Sequence, residues 1–470
     1  MKKYMDEDFL LKSEEAKVLY HKYIEKEPIF DFHNHLEAEE IYEDKKFTSI
    51  TAFWLIDENK KGDHYKWRLM RANGIPEELI TGEASPKEKF LAWIKTLKVA
   101  YGNPLYEWSL LELKRYFDIE DPFYKYSDEE LYDVLNSKLE ALSVRTLLKK
   151  SNVNALATTN DPIEDLRWHK LLREDKSNNI EVAATFRPDK ATNINSDGSY
   201  KNYISLLGKA ADVEINSYND LLVALSKRLS FFKENGTFIS DHSIEELVYT
   251  PLNEEKMNEI FQKAMCLESI AHQEALNFKS NLIMWLAKQY SLNGIAMQLH
   301  LKALRNSSKK MFNLLGPDSG FDAINGGDII PSLRNMFSDL ESTNSLPKTV
   351  VYSLDPNDFI PLSVLINSFQ SETRSKMQLG AAWWFNDNKD GMEKQLSALA
   401  NTGLLAAFVG MVTDSRSFLS FARHEYFRRV LANYFGTLIN NGQIPFEEEK
   451  IGEVLKDISY RNAVKYFKNK

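Results

Sequence analysis

The chain has 470 residues, 43% hydrophobic and 27% charged, with a formal net charge of −9. That length buries a large core, and the acidic balance excludes nucleic acid as a natural partner, because phosphate binding asks for a basic face that this chain lacks. A single cysteine, Cys266, permits no internal disulfide. No uninterrupted apolar run of roughly 18 residues is present to span a membrane.

The first segment, MKKYMDEDFLLKSEEAKVLYHKYIEKEP, carries acidic residues throughout and has no secretory apolar core, so a reducing cytoplasm is the expected setting. The apolar run PIFDFHNH (28–35) follows and ends in two histidines. On a strand, residues two apart share a face, so His33 and His35 aim into one space while Asn34 turns away. Neutral imidazole is a common ligand for zinc and its neighbours, and a catalytic site typically adds one more protein ligand and keeps a position open. Two ordinary hydrogen-bonded polar residues at a strand end are the plain alternative.

Seven further runs share that form, apolar first and polar last: 153–161, 182–189, 236–243, 294–300, 349–356, 377–387 and 408–416. Charged segments of helical period separate them. Eight strands of that polarity predict a (β/α)8 barrel, whose active site lies at the C-terminal strand ends. An open doubly wound sheet with a bound dinucleotide would need a glycine-rich turn after the first strand, and HNHLEAEE has none. The spacing predicts three parts: residues 1–36 with the first strand, a mostly helical cap inserted over 37–150, and the rest of the barrel with closing helices over 151–470. A smaller helical excursion is expected over 244–290, where Cys266 should pack as a small apolar group. The closing helices should stop near Asn441 and Gly442.

In the cap, the segment Asp63 to Arg68 reads either as a charged amphipathic turn or as a flap bringing the His64 imidazole or the Tyr65 phenol to the barrel mouth. Arg187 and Arg416 close their strands, and two guanidinium forks facing one cavity suit an acidic small molecule, unless each pairs with a structural carboxylate. His242 and His300 also close strands and are expected to touch substrate or support the metal ligands. Trp383 or its neighbour Trp384 should turn one indole toward a sugar-like face, with core packing as the alternative. Around a closed barrel the last strand borders the first, which makes Asp414 the expected third ligand, although an Asp at that place could instead cap the next helix.

Taken together, DFHNHL, DHYKWRLMRANG, GNPLYEWSLLELKRYF, TTNDPIEDLRWH, TFRPDKA, MQLHLKALRN, LGPDSGFDAIN, AAWWFNDNKDGMEKQL and VGMVTDSRSFLSFARHEYFRR resemble the uronate (glucuronate) isomerase family of the amidohydrolase superfamily, nearly end to end. The resemblance implies isomerisation of D-glucuronate to D-fructuronate, and of D-galacturonate to D-tagaturonate. It also implies one divalent metal ion, zinc by preference, held by His33, His35 and Asp414. Arg187 and Arg416 would contact the acidic sugar, and Tyr65, with His64 beside it, would lie near the carbons that exchange a proton. Family members often carry histidine where this chain has Glu107. A two-metal hydrolase on the same barrel is the main rival, but its extra ligands have no counterpart in SDHS or YSLDP. A sugar-acid binding barrel without chemistry is the second. Small-molecule substrate is the only partner the sequence calls for, and a homo-oligomer stays open.

Overall fold

In the computed structural model, which describes residues 4–468, seven of the expected runs become strands. They are β1 (Ile29–Asp31), β2 (Val153–Asn160), β3 (Glu181–Phe186), β4 (Ile239–Ile244), β5 (Ala296–Leu301), β6 (Thr349–Ser353) and β7 (Met377–Leu379). All pair in parallel and in chain order, forming one curled sheet. Parallel neighbours need long crossovers, and helices supply them, among them Arg167–Glu174 after β2, Tyr218–Glu234 after β3, His272–Asn293 after β4 and Ile330–Ser342 after β5. Local chemistry sets their ends. Ser217 and Asp220 form a reciprocal capping box at the start of Tyr218–Glu234, and Gly294, at φ 67°, closes His272–Asn293 in the left-handed conformation.

The expected eighth strand is corrected by the structure: segment 408–416, buried through Thr413, belongs to no ladder. Gly410 (φ 86°) and Asp414 (φ 43°) break the extended geometry that a strand requires. The segment nonetheless runs beside β1, since Asp414 N–H donates to the His33 carbonyl at 3.1 Å and His35 N–H to the Ser415 carbonyl at 2.9 Å. On its other flank the Gln378 side chain donates to the Ala407 carbonyl at 2.9 Å.

Between β1 and β2 the chain is helical, as expected, with Ile50–Trp54, His64–Ala72, Pro86–Leu97, Pro104–Phe117 and Asp128–Leu139 as its main elements. Ser85 and Ser127 open two of them with capping boxes, and Trp54, Phe90 and Trp93 pack between them, all fully buried. A second excursion, not foreseen from periodicity, follows β5. Here Ala303–Leu304 pairs with Ala323–Ile324 around helix Lys309–Leu315. Arginines of helix His64–Ala72 tie it down, Arg68 to the Asp322 carbonyl at 2.6 Å and Arg71 to the Ser319 carbonyl at 2.5 Å.

The closing helix Ala422–Asn440 ends at Asn441 and Gly442. Cys266 departs from its expected packing: it sits at the C-cap of helix Glu254–Met265 and is exposed, because the helix buries its opposite face through Met257, Ile260, Phe261 and Ala264. Among the described residues, no helix is long and apolar enough to cross a membrane.

Candidate active site

β1 ends at Asp31, short of the expected strand end, and the chain bends at His33 before reaching His35; the two rings lie 5.3 Å apart. Asp414 meets both. Its Oδ1 lies 3.1 Å from His33 Nε2 and 3.0 Å from His35 Nε2, and its Oδ2 accepts a hydrogen bond from Trp383 Nε1. Burial works against the charge of this carboxyl, but the two imidazoles hold it well below the usual carboxylate range. Burial lowers the His35 imidazole to about 4, so it stays neutral and keeps a lone pair for a cation. One oxygen and two nitrogens thus converge as a metal would require.

Behind His33 stands a second carboxylate. Asp241 on β4 is fully buried, with Oδ1 2.6 Å from His300 Nδ1 and Oδ2 3.1 Å from Arg187 Nη1 and 3.9 Å from His33 Nδ1. Burial would raise its pKa, yet Arg187, then His300 and His33, keep it far below normal. At 3.9 Å from His33 Nδ1 the Asp241 carboxylate is beyond hydrogen-bond reach and acts on that ring through its charge. The rings stack in a column: His33 on His300 at 4.3 Å, and His300 on Tyr352 at 4.3 Å, nearly parallel. His33, Asp241 and His300 form a second group able to hold a cation. Of its atoms, His33 Nδ1 and His300 Nε2 are buried without a hydrogen-bond partner, and Asp241 Oδ2 is met by the Arg187 guanidinium.

A cavity of about 780 Å³ opens over Asp414 and His35, lined also by His64, Tyr65, Arg187, Trp384 and Arg416. The segment between β1 and β2 supplies Tyr65 and His64 from the first turn of helix His64–Ala72, whose N-terminus Asp63 caps. Burial, with the Asp414 charge adding to it, pushes the Tyr65 phenol well above its ordinary value. His64 is lowered by burial and by Arg416, and it stacks on Trp384 at 5.5 Å. Arg187 is clamped from behind, Nε on Asp189 at 2.7 Å and Nη1 on Asp241. Arg416 is half-exposed at the rim and reaches Asp318 of the second excursion at 3.1 Å.

The structure therefore brings His33, His35, Asp414, Tyr65, His64, Arg187 and Arg416 to one place. Three other residues stand outside the cavity: His242 away from the site, and His300 and Trp383 behind the candidate ligands. His242 points away from the cavity, its Nε2 3.1 Å from the Tyr290 hydroxyl, because strand alternation sends Asp241 inward and its neighbour to the helix side. His300 lies beneath His33 and does not line the cavity. Trp383 lies under Asp414, and Trp384 faces the cavity in its place; the pair sits in a turn, with Trp384 at φ 52°, where strand alternation no longer applies. Glu107, which accepts from the Tyr426 hydroxyl at 2.6 Å, also stands outside the lining. Asp241 was missed from sequence, although β4's polar end offered it as plainly as His242.

A family model described as glucuronate isomerase matches residues 1–467. A uronate isomerase of Caldicellulosiruptor bescii is 49% identical over 468 residues, covering 99% of this chain and 100% of that one. One from Clostridium perfringens is 47% identical over 471 residues, with full coverage of both. Among solved structures, uronate isomerase from Thermotoga maritima superposes with a TM-score of 0.91 at 34% identity, over 99% of this chain and 100% of that one. Glucuronate isomerase from Caulobacter crescentus shares the fold, with a TM-score of 0.90 at 22% identity over 99% and 97% of the two chains. With matches spanning its whole length, this chain belongs to the glucuronate isomerase family and is an isomerase.

Proposed function

We propose that the chain interconverts D-glucuronate and D-fructuronate, and D-galacturonate and D-tagaturonate, by proton transfer through an enediol at a site holding one divalent cation, zinc by preference. The observation that carries this reading is the convergence of His33 Nε2 and His35 Nε2 on one oxygen of Asp414, at 3.1 and 3.0 Å, beneath a cavity that also presents Arg187 and Tyr65. The donor set fits a cation: the neutral His35 imidazole, the His33 ring beside it and an ionised carboxylate, with the Asp241 charge on the far side of His33. The chemistry supplied by a bound cation is Lewis-acid polarisation of substrate oxygens.

Within this reading the chain's own groups divide the work. Asp414, ionised at neutral pH, takes the proton from the carbon next to the carbonyl and returns it to the neighbouring carbon. Tyr65 stays a phenol, so it donates a hydrogen bond or a proton to the oxygen on which negative charge develops, with His64 packed beside it. Arg187, locked by Asp189 and Asp241, anchors the sugar carboxylate, and Arg416 closes over it from the rim. We also read segment 408–416 as the eighth stave of a closed (β/α)8 barrel and residues 37–150 as a cap beside its mouth, the two main-chain bonds to His33 and His35 supporting closure. A cytoplasmic setting follows from that metabolic role.

The test is to load the purified protein with zinc and follow glucuronate and galacturonate by NMR in heavy water. Ketose signals are expected for both sugars, and any deuterium taken up will report solvent exchange during proton transfer. Absence of ketose, with metal supplied and bound, would overturn the assignment.

A further inference from the structure

Asp414 is the residue on which the proposed chemistry turns, and it occupies a left-handed backbone conformation, φ 43°, without being glycine. Such a conformation persists only where the surroundings over-determine it. The preceding residue shows how. Every polar group of buried Thr413 is engaged by a buried charged side chain: its N–H donates to Asp31 Oδ1 at 2.8 Å, its hydroxyl to Asp31 Oδ2 at 2.5 Å, and its carbonyl accepts from Arg423 Nη2 at 2.8 Å.

Neither charged residue is placed there by ordinary packing. Asp31 is fully buried and takes its other short contact from Asn34 Nδ2 at 3.1 Å; the nearest imidazole, His424, is 3.6 Å away. A buried carboxylate is costly unless donors surround it, and here two of the donors belong to one residue of the neighbouring segment. Arg423 lies over the Trp108 ring at 4.9 Å and pairs through Nη1 with Asp387. Asp387 ends the turn that presents Trp383, whose indole holds Asp414 Oδ2. Arg423 therefore joins the two elements that grip Asp414, and Asp31 joins β1, which carries the histidines onward, to the same point.

We infer that Asp31 and Arg423 are positioning residues: acting on the two ends of Thr413, they hold Asp414 left-handed with its Oδ1 on His33 and His35. The inference rests on the reading of Asp414 as a metal ligand and base. Asp31 and Thr413 do not line the cavity, whereas Arg423 borders it, so the Thr413 variants carry the decision. The effect of Asp31 and Arg423 passes through Thr413, so it should appear in cation affinity and turnover together.

Zinc affinity by chelator competition, kcat, KM and melting temperature are compared for the native chain and for Thr413→Val, Thr413→Ser, Arg423→Lys and Asp414→Asn. Thr413→Val keeps the backbone groups and the shape but removes the hydroxyl. It should weaken zinc binding by about 10- to 100-fold, as loss of a ligand's supporting partner does, and lower kcat with KM nearly unchanged. Thr413→Ser should restore both, and Arg423→Lys should resemble Thr413→Val. If Thr413→Val binds zinc and turns over like Thr413→Ser, the clamp is wrong, and that comparison decides even if Arg423→Lys fails to fold. Should Asp414→Asn itself keep native affinity and turnover, the reading of the site falls first, and the clamp with it. Loss in Asp414→Asn with no loss in the other variants refutes the clamp alone.

Discussion

At the scale of single residues, one cavity holds Tyr65 and Asp414 in opposite protonation states: burial keeps the phenol neutral, while His33 and His35 keep the carboxyl ionised against the effect of burial. Paired groups with separated pKa values are what acid and base roles require. Tyr65→Phe removes the hydroxyl and leaves the ring that packs against His64 and Trp384. Turnover should fall by about 10²- to 10⁴-fold, the range for losing a positioned proton donor, with KM changed little. Steady-state kinetics on glucuronate measures both. Native kcat in this variant would take Tyr65 out of the chemistry. Residue identity was also where the sequence was hardest to read. Histidine draws attention as a ligand, so His242 stood out at the end of β4, yet the period of two along a strand places its neighbour Asp241 inward and His242 against Tyr290.

At the scale of elements, the ring column His33, His300 and Tyr352 depends on a glycine. A Cβ on Gly380, just past β7, would lie 2.2 Å from the Tyr352 ring, so only glycine lets that ring lie flat against the chain and under His300. Gly380→Ala should drive Tyr352 into His300 and His300 toward His33. We expect a loss of about 1–3 kcal/mol in unfolding free energy from overpacking, with weaker zinc binding, read by thermal unfolding and chelator competition. Unchanged values for both would mean that the column gives way without cost. Elements were legible where the apolar run was continuous: VNALATTND and TVVYSLDP fold as strands near their expected bounds, whereas PIFDFHNH keeps only Ile29–Asp31 as strand and carries His33 and His35 past its end. Segment 408–416 has the same composition but not the same conformation, because Gly410 and Asp414 take positive φ that an apolar pattern does not reveal. The excursion after β5 was hidden for a related reason, since its short hairpin and seven-residue helix are too brief to establish a period.

At the scale of the whole molecule, a sheet buried on both faces traps titratable groups that belong to no reaction, and these set how the fold responds to acid. His169, bonded through Nε2 to Thr158 Oγ1 at 2.7 Å, and His242 behind β4 are each lowered by burial to about 4. In the unfolded chain an imidazole takes its proton near pH 6.5. Between those two values the unfolded state binds a proton that the folded state refuses, so stability is full above about pH 6.5 and declines as pH falls toward 4. Each site contributes at most roughly 3 kcal/mol across that window. Depressed carboxylates such as Asp414 and Asp241 act lower, below about pH 4, where unfolded carboxylates begin to protonate, so the two windows are separable. His169→Gln can keep a polar atom for Thr158 and cannot titrate. Its melting temperature should fall less between pH 7.5 and pH 5, both pH values chosen to bracket about 6.5, than that of the native chain. Equal falls would mean that His169 is charged or solvated in the fold, and the acid response would then have to come from other groups.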